Sequence, residues 1–276
     1  MEKFFRRGVA GNFYGGNRHQ LQTLIDTDRK KYYNAAMIKA IAFDIDGTLY
    51  KSSSFAWRCI PFTVKNFRFM IQFGAVRKAL RSEKVRTASA DEFFLLQAQM
   101  LAARLGWTVA QTKQFINEKI YRGWKDIFKK IKAYPRAHET IRYFHERGLK
   151  VGLLSDFPPE QKNDVWGIAD LSNAIIGAEN CGALKPDILP FLKLAATLCV
   201  NPKDILYVGN SYRYDIVGAK NAGMKTAYIC SPIGKFFKRK KADIVFSNYR
   251  EFRQKLERLL TETHRNAVDN ESVQSL

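Results

Sequence analysis

Nowhere in the 276-residue chain do about 20 apolar residues run together, so no membrane-spanning helix is expected. Cysteine is scarce: Cys59, Cys181, Cys199 and Cys230, with no C-x-x-C pair. That spacing argues against a disulfide framework or a thiolate zinc site, and reduced, buried thiols are expected at all four. The four histidines, His19, His138, His145 and His264, show no metal-ligand spacing. No G-x-S-x-G elbow is present, which removes the serine-hydrolase reading, and no G-x-x-x-x-G-K-[ST] loop. The basic start MEKFFRRGVAGNFYGGNRHQ leads into no apolar segment, so a secretory leader is not expected and a cytoplasmic location is. Acidic residues are also few, 26 Asp and Glu against 46 Lys and Arg, for a formal charge of +20. Such an excess speeds the capture of anions without naming one. Phosphorylated metabolites, nucleic acid and an acidic membrane surface all fit.

What is present falls into distinct stretches. Residues 1–36 form an N-terminal extension with scattered aromatics, in which 19–34 has the makings of a short polar helix. The compact apolar run IKAIAF at 38–43 stops at an acidic-glycine turn and reads as a buried strand. From 52 to 134 apolar residues recur at helical spacing: Phe62, Phe69, Phe73 and Val76, then Phe93, Leu96, Met100 and Ala103, then Phe115 and Ile116. Three or four helices are expected there, the second opening on a capping box at Ser89 and Glu92. From 135 the pattern alternates. Strands are expected at 150–154, 174–176, 205–208, 225–229 and 243–246. Helices are expected at 137–147, 159–166, 187–199, 214–222 and 249–261, with Gly148 and Gly223 as C-caps. Alternating strands and helices predict a parallel sheet covered on both faces. The α/β core is therefore split, 37–51 and 135–262, around a helical insert at 52–134. Residues 263–276 read as a polar, frayed tail.

The informative polar residues each follow a strand or open a helix. Asp44, Asp46 and Thr48 follow the first strand. Ser155 and Asp156 follow the second, and Asn210 and Asp215 follow the one at 205–208. Lys185 stands before Pro186 at a helix start. In a parallel sheet such loops share the carboxyl edge, where ligands bind. Two carboxylates two residues apart suit a hard cation. One carboxylate can attack phosphorus, and a second can protonate the leaving oxygen. A lysine and a serine can hold the phosphoryl oxygens.

The string DIDGT at 44–48 resembles the first motif of the haloacid dehalogenase-like hydrolases. LLSD at 153–156, the lysine of GALKPD at 182–187 and GNSYRYDIVGAKNAG at 209–223 resemble the second, third and fourth. The resemblance spans about 38–261 and implies a Rossmann-like core whose insert is a helical cap. It implies Asp44 as nucleophile and Asp46 as acid/base. Thr48, Ser155, Asp156 and Lys185 would bind phosphate, and Asp44, Asp46, Asn210 and Asp215 would hold Mg2+. The function implied is a magnesium-dependent phosphatase for a small phosphorylated metabolite such as phosphoglycolate, a sugar phosphate or a nucleoside monophosphate. A mutase uses the same acid pair. The second carboxylate argues against dehalogenation, which has no alkoxide to protonate. One position departs from the pattern: Asn210 stands where the fourth motif carries an aspartate, which implies weaker magnesium binding.

The insert concentrates the positive charge, with 17 Lys and Arg against 5 Asp and Glu over 51–134. Lys78, Arg81, Lys84 and Arg86 are its densest cluster, read either as a lure for polyanionic substrates or as a solvated helix face. A second cluster, Lys235 to Lys241, sets cations beside Phe236 and Phe237 and could touch nucleic acid or be a solvated loop. The competing function is accordingly a binding module that lost catalysis through Asn210 and holds RNA or another acidic partner.

Overall fold

The apolar run ahead of Asp44 becomes a central strand of a parallel sheet. The computed structural model describes residues 38–274 apart from 163 and 239–240, with side chains at 236–240 and beyond 261 excluded. The expected helix at 19–34 and the N-terminal extension lie outside the described residues. The strands are β1 Ala40–Phe43, β2 Lys150–Ser155, β3 Ala174–Gly177, β4 Ile205–Gly209, β5 Lys225–Ile229 and β6 Ile244–Phe246. They lie in the order β3-β2-β1-β4-β5-β6, every pair parallel. Phe43 sits beside both Leu153 and Val208, so β1, β2 and β4 finish at one edge.

Both faces of the sheet are covered, as near-continuous apolar strands require. On one face α7, Ile188–Leu198, buries Phe191, Leu194 and Leu198 against Ala40, Ala42 and Tyr207. On the other, Phe252 of α8, Tyr249–Gln274, meets Phe43, Phe246 and Phe144 of α6, Ala137–His145. The backbone of α8 stays helical to Gln274, through much of the stretch expected to fray. Residues 249–274 contain neither glycine nor proline, and extending a helix already nucleated is cheap.

Between β1 and β2 run the helices of the insert: α1 Ser52–Lys65, α2 Phe67–Ser82, α3 Ala90–Leu105, α4 Val109–Phe115 and the single turn α5 Lys125–Phe128. A wide π turn at Ile116–Arg122 extends α4. The chain leaves and re-enters the core side by side, where Tyr134 N donates to Leu49 O at 2.8 Å. Ser89 caps α3 through Glu92 N at 3.2 Å, but Glu92 reaches back to Ala88 N, not Ser89 N.

Two expectations fail locally. The helix predicted at 159–166 is only a 3-10 turn, Pro159–Lys162, after which Val165 and Trp166 take left-handed conformations. Tertiary bonds decide this segment: Trp166 Nε1 donates to Ile131 O at 2.7 Å and Gln161 Nε2 to Ile120 O at 2.8 Å. The cysteines are free, but burial holds only for Cys59 and Cys181; Cys199 is exposed and Cys230 half-buried. Cys199 ends α7 in the left-handed conformation, which points it away from the helix's apolar face.

Candidate active site

Asp44 is the first residue past β1, and its amide extends the ladder to Val208 O at 2.9 Å. The residue is only 3% exposed. Lys185 Nζ donates to one oxygen at 2.6 Å and Thr48 Oγ1 to the other at 2.7 Å. Thr48 is held in turn by the Tyr249 hydroxyl, which donates to its carbonyl at 2.9 Å. The turn between Asp46 and Thr48 needs Gly47, whose φ is +84° and whose missing Cβ would strike Asn210 and Ser52.

Lys185 comes from the loop before α7 and sits between two carboxylates, Asp44 at 2.6 Å and Asp215 at 2.7 Å. The second oxygen of Asp215 accepts from Ser211 N at 2.9 Å, which ties the fourth-motif loop to the same point. Burial disfavours the ammonium, but Asp215 and Asp44 hold Lys185 protonated, well above the usual lysine range. Burial and the neighbouring Asp215 push the Asp44 carboxyl up to about 8 despite Lys185. One lysine cannot satisfy two buried carboxylates, and a further cation beside them would restore Asp44 to its charged form.

Asp46 points to the other side of the loop. It accepts from the Tyr50 hydroxyl at 2.7 Å, Lys162 Nζ at 2.7 Å and Ser155 Oγ at 3.1 Å. Burial favours its neutral acid, yet Lys162 and Tyr50 keep its carboxyl below the ordinary range. Asp156 faces away from the nucleophile: its carboxylate pairs with Arg81 Nη2 at 2.5 Å and accepts from Lys185 N at 3.2 Å. A carboxylate held this way offers a phosphate no donor, so any contact there falls to its backbone.

These residues share a cleft of about 410 Å³ that runs from Asp44, Asp46, Lys185, Asn210 and Asp215 to the inner face of α1 and α2. The insert contributes an apolar wall, Phe55, Met70, Phe73 and Trp124. Among the described residues no three His, Cys, Asp or Glu side chains form a metal-binding group. The donors at hand, two carboxylates with an amide and backbone carbonyls, suit magnesium, which keeps several waters and uses few protein ligands.

Three residues escaped the sequence reading. Lys162 is buried, bonded to Asp46 and stacked on the Phe128 ring at 4.0 Å. Arg77, also buried, reaches from α2 to Glu179, Gln97 and the Phe157 ring. Tyr50 is the third. None sits in a recognisable string, and only the folded chain brings them to the edge of the sheet. The basic cluster of the insert divides: Arg81 and Arg86 pair with the core residues Asp156 and Asp187, at 2.5 and 2.7 Å, while Lys78 and Lys84 are exposed. In the second cluster Lys235 pairs with Glu251 at 2.8 Å and Lys241 covers the Tyr212 ring at 4.4 Å.

A family model described as haloacid dehalogenase-like hydrolase matches residues 38–223. The chain belongs to this family. Glyceraldehyde 3-phosphate phosphatase of Methanopyrus kandleri is 29% identical over 201 residues, covering 70% of this chain and 84% of the relative. Phosphoglycolate phosphatase of Yersinia pseudotuberculosis is 27% identical over 191 residues, covering 67% and 78%. The phosphoglycolate phosphatase of Cereibacter sphaeroides is 36% identical over 98 residues, and this chain spans 44% of its length. The β-phosphoglucomutase of Clostridium difficile shares the fold, with a TM-score of 0.56 at 16% identity over 84% of this chain and 99% of that one. So does 2-haloacid dehalogenase from Pseudomonas syringae, with a TM-score of 0.57 at 20% identity over 81% and 100%. Family and relatives together make the chain a hydrolase of phosphoric monoesters.

Proposed function

We propose that this hydrolase is a magnesium-dependent phosphatase that cleaves a small phosphorylated metabolite through an aspartyl-phosphate on Asp44. The observation that carries the reading is the lysine clamp: Lys185 between Asp44 and Asp215, with Thr48 on the free oxygen of Asp44 and a second carboxylic acid, Asp46, alongside. Asp44, the backbone carbonyl of Asp46, Asn210 and Asp215 would hold the metal. When bound it neutralises charge on the transferring phosphoryl group and leaves Asp44 ionised.

The chain's own groups divide the work. An oxygen of Asp44 attacks phosphorus while Lys185 and Ser155 hold the phosphoryl oxygens. Asp46 is ionised at rest, and the arriving phosphate charge favours its protonation. It gives that proton to the departing alkoxide. Then, as a carboxylate, it takes a proton from the water that attacks the aspartyl-phosphate, releasing inorganic phosphate and free Asp44. The aromatic wall of the insert, acting as a cap, keeps other water away. The 410 Å³ cleft fits a metabolite of a few carbons, the size of the compounds named for the phosphatase relatives.

Arg81 and Arg86, tied to core acids, give the nucleic-acid reading less support than the exposed Lys78 and Lys84 do. Hydrolysis of p-nitrophenyl phosphate by the full chain, with and without magnesium, tests the proposal. Turnover should require magnesium and fall at least roughly a thousandfold in Asp44→Asn. Equal turnover without metal, or an active Asp44→Asn, would overturn it.

A further inference from the structure

The insert is apolar on two sides. Its inner side turns Phe55, Met70 and Phe73 into the cleft. Its outer side meets solvent: Trp57 is 72% exposed, Ile60 44%, Val64 72%, Phe67 64% and Ile71 50%. Those five positions repeat at intervals of three and four residues, the spacing that lines side chains up along a helix. Only Asn66 separates α1 from α2. At about 100° per residue, Trp57 stands opposite Phe55 on α1, while on α2 Ile71 stands opposite Phe73 and Phe67 lies closer to the cleft-lining Met70 and Gly74, so the row faces away from the cleft on α1 and turns toward its flank on α2. Three of these residues lie on α1 and two on α2, and large apolar side chains left in water on consecutive helices mark an interaction surface.

Charge narrows the partner. Residues 51–82 contain Lys51, Arg58, Lys65, Arg68, Arg77, Lys78 and Arg81 and no Asp or Glu. Lys51, Arg58, Lys65, Arg68 and Lys78 are exposed beside the row. A second copy placing the same face against itself would oppose cation to cation. An acidic bilayer complements both features. Indole, phenyl and aliphatic side chains enter the headgroup region, and lysine and arginine meet lipid phosphates.

We infer that the exposed apolar row of α1 and α2, with the cations beside it, docks this protein on an anionic membrane surface. Docking needs neither substrate nor turnover, so it stands apart from the proposed chemistry.

Co-sedimentation of the full chain with phosphatidylcholine vesicles, with and without phosphatidylglycerol, tests this. Binding should require the anionic lipid and weaken with salt. Replacing Trp57, Val64 and Phe67 together by serine should lower partitioning by roughly tenfold or more. Each of Arg58→Gln, Lys65→Gln and Arg68→Gln should lower it about fivefold. Trp57, Val64, Phe67, Arg58 and Lys65 are exposed, so far-ultraviolet circular dichroism and the melting midpoint should stay unchanged in those variants, while Arg68→Gln, which also loses a 3.3 Å bond from Arg68 Nη2 to Leu105 O, is compared at matched folded fraction. Absence of binding to anionic vesicles would overturn the inference, as would unchanged binding in both variant sets. So would light scattering that finds a wild-type dimer dissolved by the serine variant, which would assign the face to self-association.

Discussion

Asp46 is ionised at rest, bonded to Lys162 and Tyr50, and how much its proton matters depends on the leaving group. p-Nitrophenolate leaves without help, whereas an alkoxide needs the proton. Asp46→Asn should therefore cost roughly 10²–10⁴-fold in kcat/KM on an alkyl phosphate and much less on p-nitrophenyl phosphate. Equal losses on both would remove Asp46 from the acid role. Asn210 makes a second prediction. Its amide is uncharged, so Asn210→Asp should lower the magnesium concentration for half-maximal activity about tenfold, read from a metal titration of turnover. The meeting of Asp44, Asp46, Ser155, Lys185 and Asp215 was legible in the sequence, because each follows a strand or opens a helix. Lys162 was not, because its role depends on a proline-rich loop that folds back over the acid.

At the scale of elements, α3 shows what periodicity could and could not tell. Phe93, Leu96, Met100 and Ala103 recur at helical spacing, which marks the helix, while the residues the chain buries include Phe93, Gln97, Leu101 and Leu105. The helix is apolar nearly all round, so its face is chosen by partners. Gln97 turns inward because it accepts from Arg77 Nη1 at 3.2 Å and donates to the Tyr121 hydroxyl at 3.1 Å. That network joins insert and core through Glu179, which is wholly buried. Arg77→Met would leave Glu179 without its counter-charge. We expect a loss of about 3–5 kcal/mol of stability, measured by urea denaturation, with Arg77→Lys recovering part of it.

For the molecule as a whole, its ion pairs predict acid sensitivity. Against burial, Arg81, Lys185 and Arg77 hold Asp156 down at about 2. Lys235 and Lys255 do the same for Glu251, also about 2. Carboxyls lowered by folding stabilise the native state above their ordinary pKa and lose that contribution as pH falls through the folded value. Stability should thus decline between about pH 4 and pH 2, by roughly 2 kcal/mol for Asp156 alone. Asp156→Asn should flatten that decline in urea midpoints taken across the range. An unaltered decline would place the sensitivity elsewhere. The +20 charge acts at this scale too, and exposed Lys51, Arg58, Lys65, Arg68 and Lys78 put part of it on α1 and α2 and their approaches.

The sequence alone determined the strands, the parallel sheet, the split core and the residues at its carboxyl edge. Local signals suffice there: apolar runs end at turns, and a parallel sheet sends every such turn to one side. Tertiary structure decided which cation serves which acid. Lys185 reaches Asp44 and Asp215, Lys162 reaches Asp46, and Arg81 takes Asp156, across separations of 141, 30, 116 and 75 residues. Long side chains in a lysine- and arginine-rich chain have many candidate partners, and only burial, which makes an unpaired charge costly, selects among them.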